Sequence, residues 1–401
     1  MRHPRNWYIL LAIAFLQGLV FYAPIATRYR LDNGIDLGQL FAIESISFVL
    51  TILLELPFGL LADRIGCRRV ILLGNAVFAL SKLVFAGAEG FGLFLAERVL
   101  LALSLAALSG ASESFLSASI GGEGAERRFG LWGAAGTAGL LLASLVSPLL
   151  YGVSLRFAAY ATILPYALAA LLSLFLVDAG PAREKGAAPG RELRSALGRL
   201  LADAPLLRFL LAMTLVQEFS QVAVVFLSPL QYERAGIPRP LYGALFAGLQ
   251  VAALASGLSG RLAKALGRRA SLLALAATAC AAGALLALSA DPWLSVAALL
   301  ALAASSSLLR PLSTLVQLER AGGFHQATSL SLNAMVAEAL SALIDFGVGP
   351  LGRTSLALAF GAFALALLPV LLFPRLFLAA AGRKKIAGHE KAASHQEGGL
   401  N

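Results

Sequence analysis

The sequence predicts an all-α membrane protein of twelve transmembrane helices arranged as two pseudo-symmetric six-helix bundles, and three observations carry that expectation. First, the 401 residues are 59% hydrophobic and only 13% charged, with a mean hydropathy of +0.80. A water-soluble chain of this length does not show such a composition; at about 20 residues per span plus short loops it holds about twelve helices. Second, GLLADRIGCR at 59–68 returns in degenerate form as GRLAKALGRR at 260–269, 201 residues later, with Gly59 on Gly260, Gly66 on Gly267 and Lys264 in place of Asp63. Third, with the N-terminus inside, 23 of the 32 Lys and Arg fall on the cytoplasmic side. Six fall outside (Arg28, Arg30, Arg156, Arg234, Arg239, Arg353) and three within spans (Lys82, Arg98, Arg310). That is the bias the positive-inside rule demands, so the net charge of +10 reads as topology and not as nucleic-acid affinity.

In chain order, residues 1–6 with Arg2 and Arg5 precede an apolar run without a convincing small-residue cleavage site, which reads as a retained first helix. Spans are predicted at 7–26, 39–62, 70–88, 92–119, 129–150 and 155–177. The polar connection 178–205 is rich in Gly, Pro, Arg and Glu. Within it Leu193, Leu197, Leu200 and Leu201 oppose Arg191, Arg194 and Arg199, the pattern of a short amphipathic helix on the inner membrane surface. The second half repeats the layout at 206–228, 241–260, 270–289, 293–318, 327–349 and 355–377, and the polar tail is expected to be disordered. The expected units are therefore an N-terminal bundle 1–177, a cytoplasmic linker 178–205, a C-terminal bundle 206–378 and a tail 379–401.

Residues 59–69, GLLADRIGCRR, form a short charged turn between two spans. Gly59 and Gly66 allow close backbone approach, Asp63 can accept from orphan amides at a neighbouring helix start, and Arg64, Arg68 and Arg69 hold the turn in the cytoplasm. The stretch resembles the signature loop between helices 2 and 3 of the major facilitator superfamily, matching at Gly59, Asp63, Arg64, Gly66 and Arg68. It departs at Cys67, where that family carries Arg or Lys, and Arg69 is the charge that can stand in. The resemblance implies secondary transport by alternating access, a site between the halves near mid-membrane, and a cavity lined by helices 1, 4, 7 and 10. It also implies that Asp63 docks on the start of helix 11, about 326–329, in the outward-facing state. Arg98 in AERVLL resembles the basic residue of a second family motif linked with proton coupling, with Leu101 and Ala102 where Gln and Gly are usual. The segments 54–59 (LELPFG) and 109–120 (SGASESFLSASI) resemble a bacterial efflux-like branch.

A charged group inside a span is costly and is by default a functional candidate. Glu44 and Glu55, eleven apart, share a face of helix 2, and Glu338 and Asp345, seven apart, share a face of helix 11. Ser306, Arg310, Thr314 and Gln317 form a polar stripe on helix 10, and Gln217, Glu218 and Gln221 cluster on helix 7. The candidates for proton coupling or substrate binding are Glu113, Glu218, Glu338, Arg98, Arg310, Gln217 and Gln221. Glu218 with Arg310, or Glu113 with Arg98, are the expected switches, because a buried Glu beside an Arg can load and release a proton as a cavity alternates. Lys82 is expected to pair with Glu44 or to snorkel. Gly130, Gly133, Gly136 and Gly139 make a small-residue seam on helix 5.

Enzyme signatures are missing: there is no Walker loop, the four histidines lie at or beyond the membrane faces, and Cys67 and Cys280 have neither pairing nor zinc spacing. No cofactor, metal or nucleic acid is expected. Seven acids against three bases within the spans favour protons or cations as cargo. The expected function is proton-coupled export of a small amphipathic or cationic compound by a monomer in the cell inner (plasma) membrane, with both termini cytoplasmic and lipid and protons as its other partners. The alternatives are uptake of an anionic metabolite bound by Arg98 and Arg310, lipid flipping, or a non-transporting sensor of the same fold.

Overall fold

The computed structural model describes residues 4–120, 125–178, 198, 200–321 and 326–381. The first half contains α1 (Pro4–Asp32), α2 (Leu37–Ile65), α3 (Cys67–Gly87), α4 (Gly90–Ile120), α5 (Ala125–Tyr151) and α6 (Leu155–Ser173). The second contains α7 (Ala204–Arg234), α8 (Arg239–Leu266), α9 (Arg268–Leu288), α10 (Pro292–Ala321), α11 (Gln326–Thr354) and α12 (Leu356–Leu372). Eleven are long and apolar enough to cross a membrane, and α12 is an apolar helix of 17 residues. Leucines such as Leu53, Leu145, Leu149 and Leu365 stand exposed on the outer surface, as helices solvated by lipid require. The predicted amphipathic residues Arg191, Leu193, Arg194, Leu197 and Arg199, and the tail from 382 onward, lie outside the described residues.

The internal repeat is visible in the backbone. Gly66 ends α2 at φ 87°, ψ 143° and Gly267 ends α8 at φ 80°, ψ 151°, a region open to glycine alone. The chain therefore reverses on one residue in each half. Residues 59–65, expected as a turn, are the last turns of α2, and a Cβ on Gly59 would meet nothing within 4 Å among the described residues. The first helix of each half also loses α geometry at equivalent places. α1 breaks after Gly18 and passes through a 3₁₀ turn at Ala23–Ile25, and α7 widens into a π segment at Val222–Leu227.

Two symmetry-related crossings join the halves, α2 along α11 and α5 along α8. At the first, a Cβ on Gly349 would lie 3.2 Å from the Gly38 Cα; at the second, a Cβ on Gly243 would run into the Ser144 carbonyl and the Pro148 ring. Both crossings lie at the face opposite Gly66 and Gly267, called the sealed face below. α1 and α7 run about a turn and a half beyond their predicted ends, to Asp32 and Arg234, so Arg28 and Arg30 are helical and not loop residues. The extensions meet there: Arg28 reaches Glu233 at 3.2 Å, Arg353 reaches Asp36 at 3.4 Å, and the Tyr151 hydroxyl donates to the Arg239 carbonyl at 2.8 Å. Within the first half, the glycine seam seats α5 on α1, but only at Gly136 and Gly139, against Gly18 and the Phe15 carbonyl.

Candidate functional site

The acids of α2 and α11 share faces as their spacing predicts, and the antiparallel crossing brings the faces together. Glu44 stands within electrostatic reach of Asp345, and Glu55 within reach of Glu338. The two levels differ in chemistry.

Toward the sealed face the groups are buried and crowded. Glu44 accepts from Arg98 and, at 3.4 Å, from Arg30, which also lies 3.9 Å from Glu97 and over the Phe85 ring at 5.3 Å. Ion pairs this deep persist only when each member is compensated, and here two arginines share two glutamates. On the other side of the crossing, Glu218 from α7 faces Asp345 and Ser341 of α11. Glu218 Oε1 and both Asp345 carboxyl oxygens are buried and find no hydrogen-bond donor among the described residues.

Toward the Gly66 face the helices part around a cavity of about 390 Å³. Glu55, Glu113 and Glu338 line it together with Gln17, Asn75 and Trp132, and no Lys or Arg does among the described residues. Gln17 donates to Asn75 at 2.6 Å, and Asn75 donates in turn to the Ile71 carbonyl at 2.9 Å, which fixes both amides at the cavity wall. A second cavity of about 500 Å³ lies between α7, α8 and α10, lined by Gln217, Gln221, Gln250, Ser306 and Arg310.

The expected switches are not assembled. Glu218 points to α11, while Gln217, Gln221 and Arg310 line the second cavity, because neighbouring positions on a helix are about 100° apart. Arg98 is taken by Glu44, and Glu113 faces the acidic cavity instead. Lys82 neither snorkels nor reaches Glu44. Its ammonium donates to the Tyr22 hydroxyl at 3.0 Å and sits over the rings of Phe78 at 4.9 Å and Tyr166 at 5.1 Å, an aromatic cage. Asp63 and Arg69 are exposed, and Arg68 donates to the Leu174 carbonyl at 3.1 Å. The side chains at 326–328, where Asp63 was expected to dock, lie outside the described residues. Sequence reasoning missed the Glu218–Asp345 contact and the place of Arg30 and Glu97 in the network. The adjacency of Glu97 to Arg98 was the available signal for the latter.

Comparison with known proteins agrees with this architecture. Residues 7–345 match the Major Facilitator Superfamily profile. A 129-residue stretch is 33% identical to the methylenomycin A resistance protein of Bacillus subtilis, covering 31% of this chain and 27% of that protein. A 157-residue stretch is 32% identical to the methyl viologen resistance protein SmvA of Salmonella typhimurium, covering 36% and 31%. The chain thus spans about a quarter to a third of the length of these relatives. Among solved structures, the nucleoside transporter NupG superposes with a TM-score of 0.77 at 15% identity, covering 94% of this chain and 100% of that one. A bacterial homologue of the human lysosomal transporter Spinster does so at 0.74 and 16%, covering 94% and 97%. At such identities the likeness is one of fold. The profile match, however, runs through both repeats and not only the turn at 59–69, and the chain belongs to the Major Facilitator Superfamily.

Proposed function

We propose that this protein is a secondary transporter working by alternating access, and that it exports a small amphipathic cation in exchange for protons. The observation that carries the reading is the cavity with three carboxylates, two amides, an indole and, among the described residues, no lining cation. In a partly dry site one carboxylate about 4 Å from a cation is worth about 4 kcal/mol at an effective dielectric of about 20, before desolvation. Trp132 adds a face for an aromatic or amphipathic body. The name of one relative supports the cargo class, since methyl viologen is a dication. The bundles 1–177 and 206–378 act as the two rocking bodies, with the Gly66 face in the cytoplasm of a plasma-membrane protein that works as a monomer. On that orientation the sealed face is external and the acidic cavity is loaded from inside.

The test is tolerance to methyl viologen, together with efflux of a preloaded fluorescent cation, in cells carrying wild type, Glu113→Gln or Glu338→Gln at matched membrane levels. Tolerance and efflux should fall in both variants. If the variants match wild type, and accumulation of a labelled anionic metabolite instead depends on Arg310, the reading is replaced by anion uptake through the second cavity.

A further inference from the structure

Glu218 and Asp345 have no part in either cavity. They come from α7 and α11, meet beside the Ser341 hydroxyl, and are sealed from solvent, Asp345 completely. Three of their four carboxyl oxygens lack a donor among the described residues. The charged groups facing the pair come from the other half. Glu44 of α2 is within reach of both acids and Arg98 of α4 within reach of Asp345, with Arg30 and Glu97 behind them. Arg98 is already bound to Glu44. α12 carries no charged residue, and the arginines of α9 and α10 lie at the Gly66 face or on the second cavity. Two acceptor-only groups facing each other in an apolar site are satisfied by a proton held between them. Ionising both would place like charges side by side and against Glu44.

The position of the pair ties it to the crossing that seals the molecule. Asp345 lies one helical turn before Gly349, the residue whose backbone meets Gly38 of α2. Glu218 lies one turn before the π segment of α7, where the helix has slack to shift.

We propose that Glu218 and Asp345 form a single-proton site that latches the sealed face: the shared proton joins α7 to α11 with α11 seated on α2, and its loss drives Asp345 from Glu44 and releases the Gly38–Gly349 crossing. The inference deepens the transporter reading by placing the coupling proton away from the acidic cavity. The sign follows from linkage. Protonation favours the sealed state, so the face is closed at acid pH and opens as pH rises through the titration of the pair. For one proton the open-to-closed ratio rises about tenfold per pH unit across that range.

The experiment uses the full chain with Cys67→Ser and Cys280→Ser, reconstituted without cargo. Spin labels are placed at Val153→Cys and Leu288→Cys, exposed positions on the sealed face of opposite halves. The label distance is measured across pH, and at fixed pH with and without sodium. In the parent the short distance should dominate at acid pH and give way to a longer one on alkalinisation. Glu218→Gln/Asp345→Asn, a neutral pair that can hydrogen-bond, should stay short at every pH. The amidated variant should also keep the parent's monodisperse elution and melting temperature, which separates a locked latch from a chain that merely misfolds, and Gly59→Ala, far from the pair in open space, should still respond to pH. A parent distance insensitive to pH, an unchanged response in the doubly amidated variant, or opening governed by sodium at constant pH overturns the latch. Because no cargo is present, loss of the pH response leaves cation export standing, and pH-driven opening in a chain that exports no cation keeps the latch while removing that reading.

Discussion

Gly38 of α2 and Gly349 of α11 meet backbone to backbone, and a Cβ added at Gly349 would lie 3.2 Å from both the Gly38 Cα and the Phe41 Cβ. The neighbours here are main chain and the root of a buried ring, so they have little room to yield. Gly349→Val should therefore prop the sealed face open without hindering insertion, since the side chain is apolar. The expected outcome is normal membrane abundance, a longer distance between labels at 153 and 288 at acid pH, and loss of transport.

The ion pair from Arg28 to Glu233 joins the extensions of α1 and α7, with side chains 34% and 27% exposed. A pair so accessible contributes about 0–1 kcal/mol, so Glu233→Ala should raise the open population by about fivefold at most. The effect should shrink at high salt. Arg28 also reaches Asp32 at 2.8 Å and Glu233 also reaches Arg239 at 3.3 Å, so a double-mutant cycle of Arg28→Ala and Glu233→Ala, read by the same distance, isolates the pair.

Arg98 and Arg310 should behave in opposite ways. Arg98→Ala leaves Glu44 buried with only the longer contact to Arg30, a loss of about 3–5 kcal/mol by the usual cost of breaking a buried pair, and should appear as low membrane abundance and a lowered melting temperature. Arg310 is exposed on the second cavity, so Arg310→Ala should leave abundance and cation tolerance unchanged. A fall in cation tolerance at equal abundance would tie the second cavity to the cargo.

Three glycines of the repeated turn separate by conformation. Gly66→Ala and Gly267→Ala each force a side chain into a glycine-only region at a cost of about 1–3 kcal/mol. Gly59→Ala, inside α2 with open space around it, should be neutral or slightly stabilising. Thermal unfolding of the three detergent-purified variants checks the order.

Much of this architecture was legible in the residues. Hydropathy located twelve apolar helices, eleven of them long enough to cross a membrane, because lipid tolerates few polar side chains, and the 201-residue offset between Gly66 and Gly267 revealed two copies of one unit, whose turns share one backbone conformation. Spacing alone placed Glu44 with Glu55 and Glu338 with Asp345, because a helix sets the azimuth of each side chain on its own axis. Grouping Gln217, Glu218 and Gln221 on one helix did not separate their faces: Gln217 and Gln221 line the second cavity while Glu218 turns to α11. What only the tertiary structure decided is which helix each of those faces meets. Glu218 met Asp345 instead of Arg310, Arg98 met Glu44 instead of Glu113, and Lys82 met three rings instead of a carboxylate. In a bilayer the hydrophobic effect does not choose between apolar helix faces, so which helices meet follows from close packing at residues such as Gly38, Gly349 and Gly139. That packing depends on the tilt and register of whole helices, which no local spacing encodes.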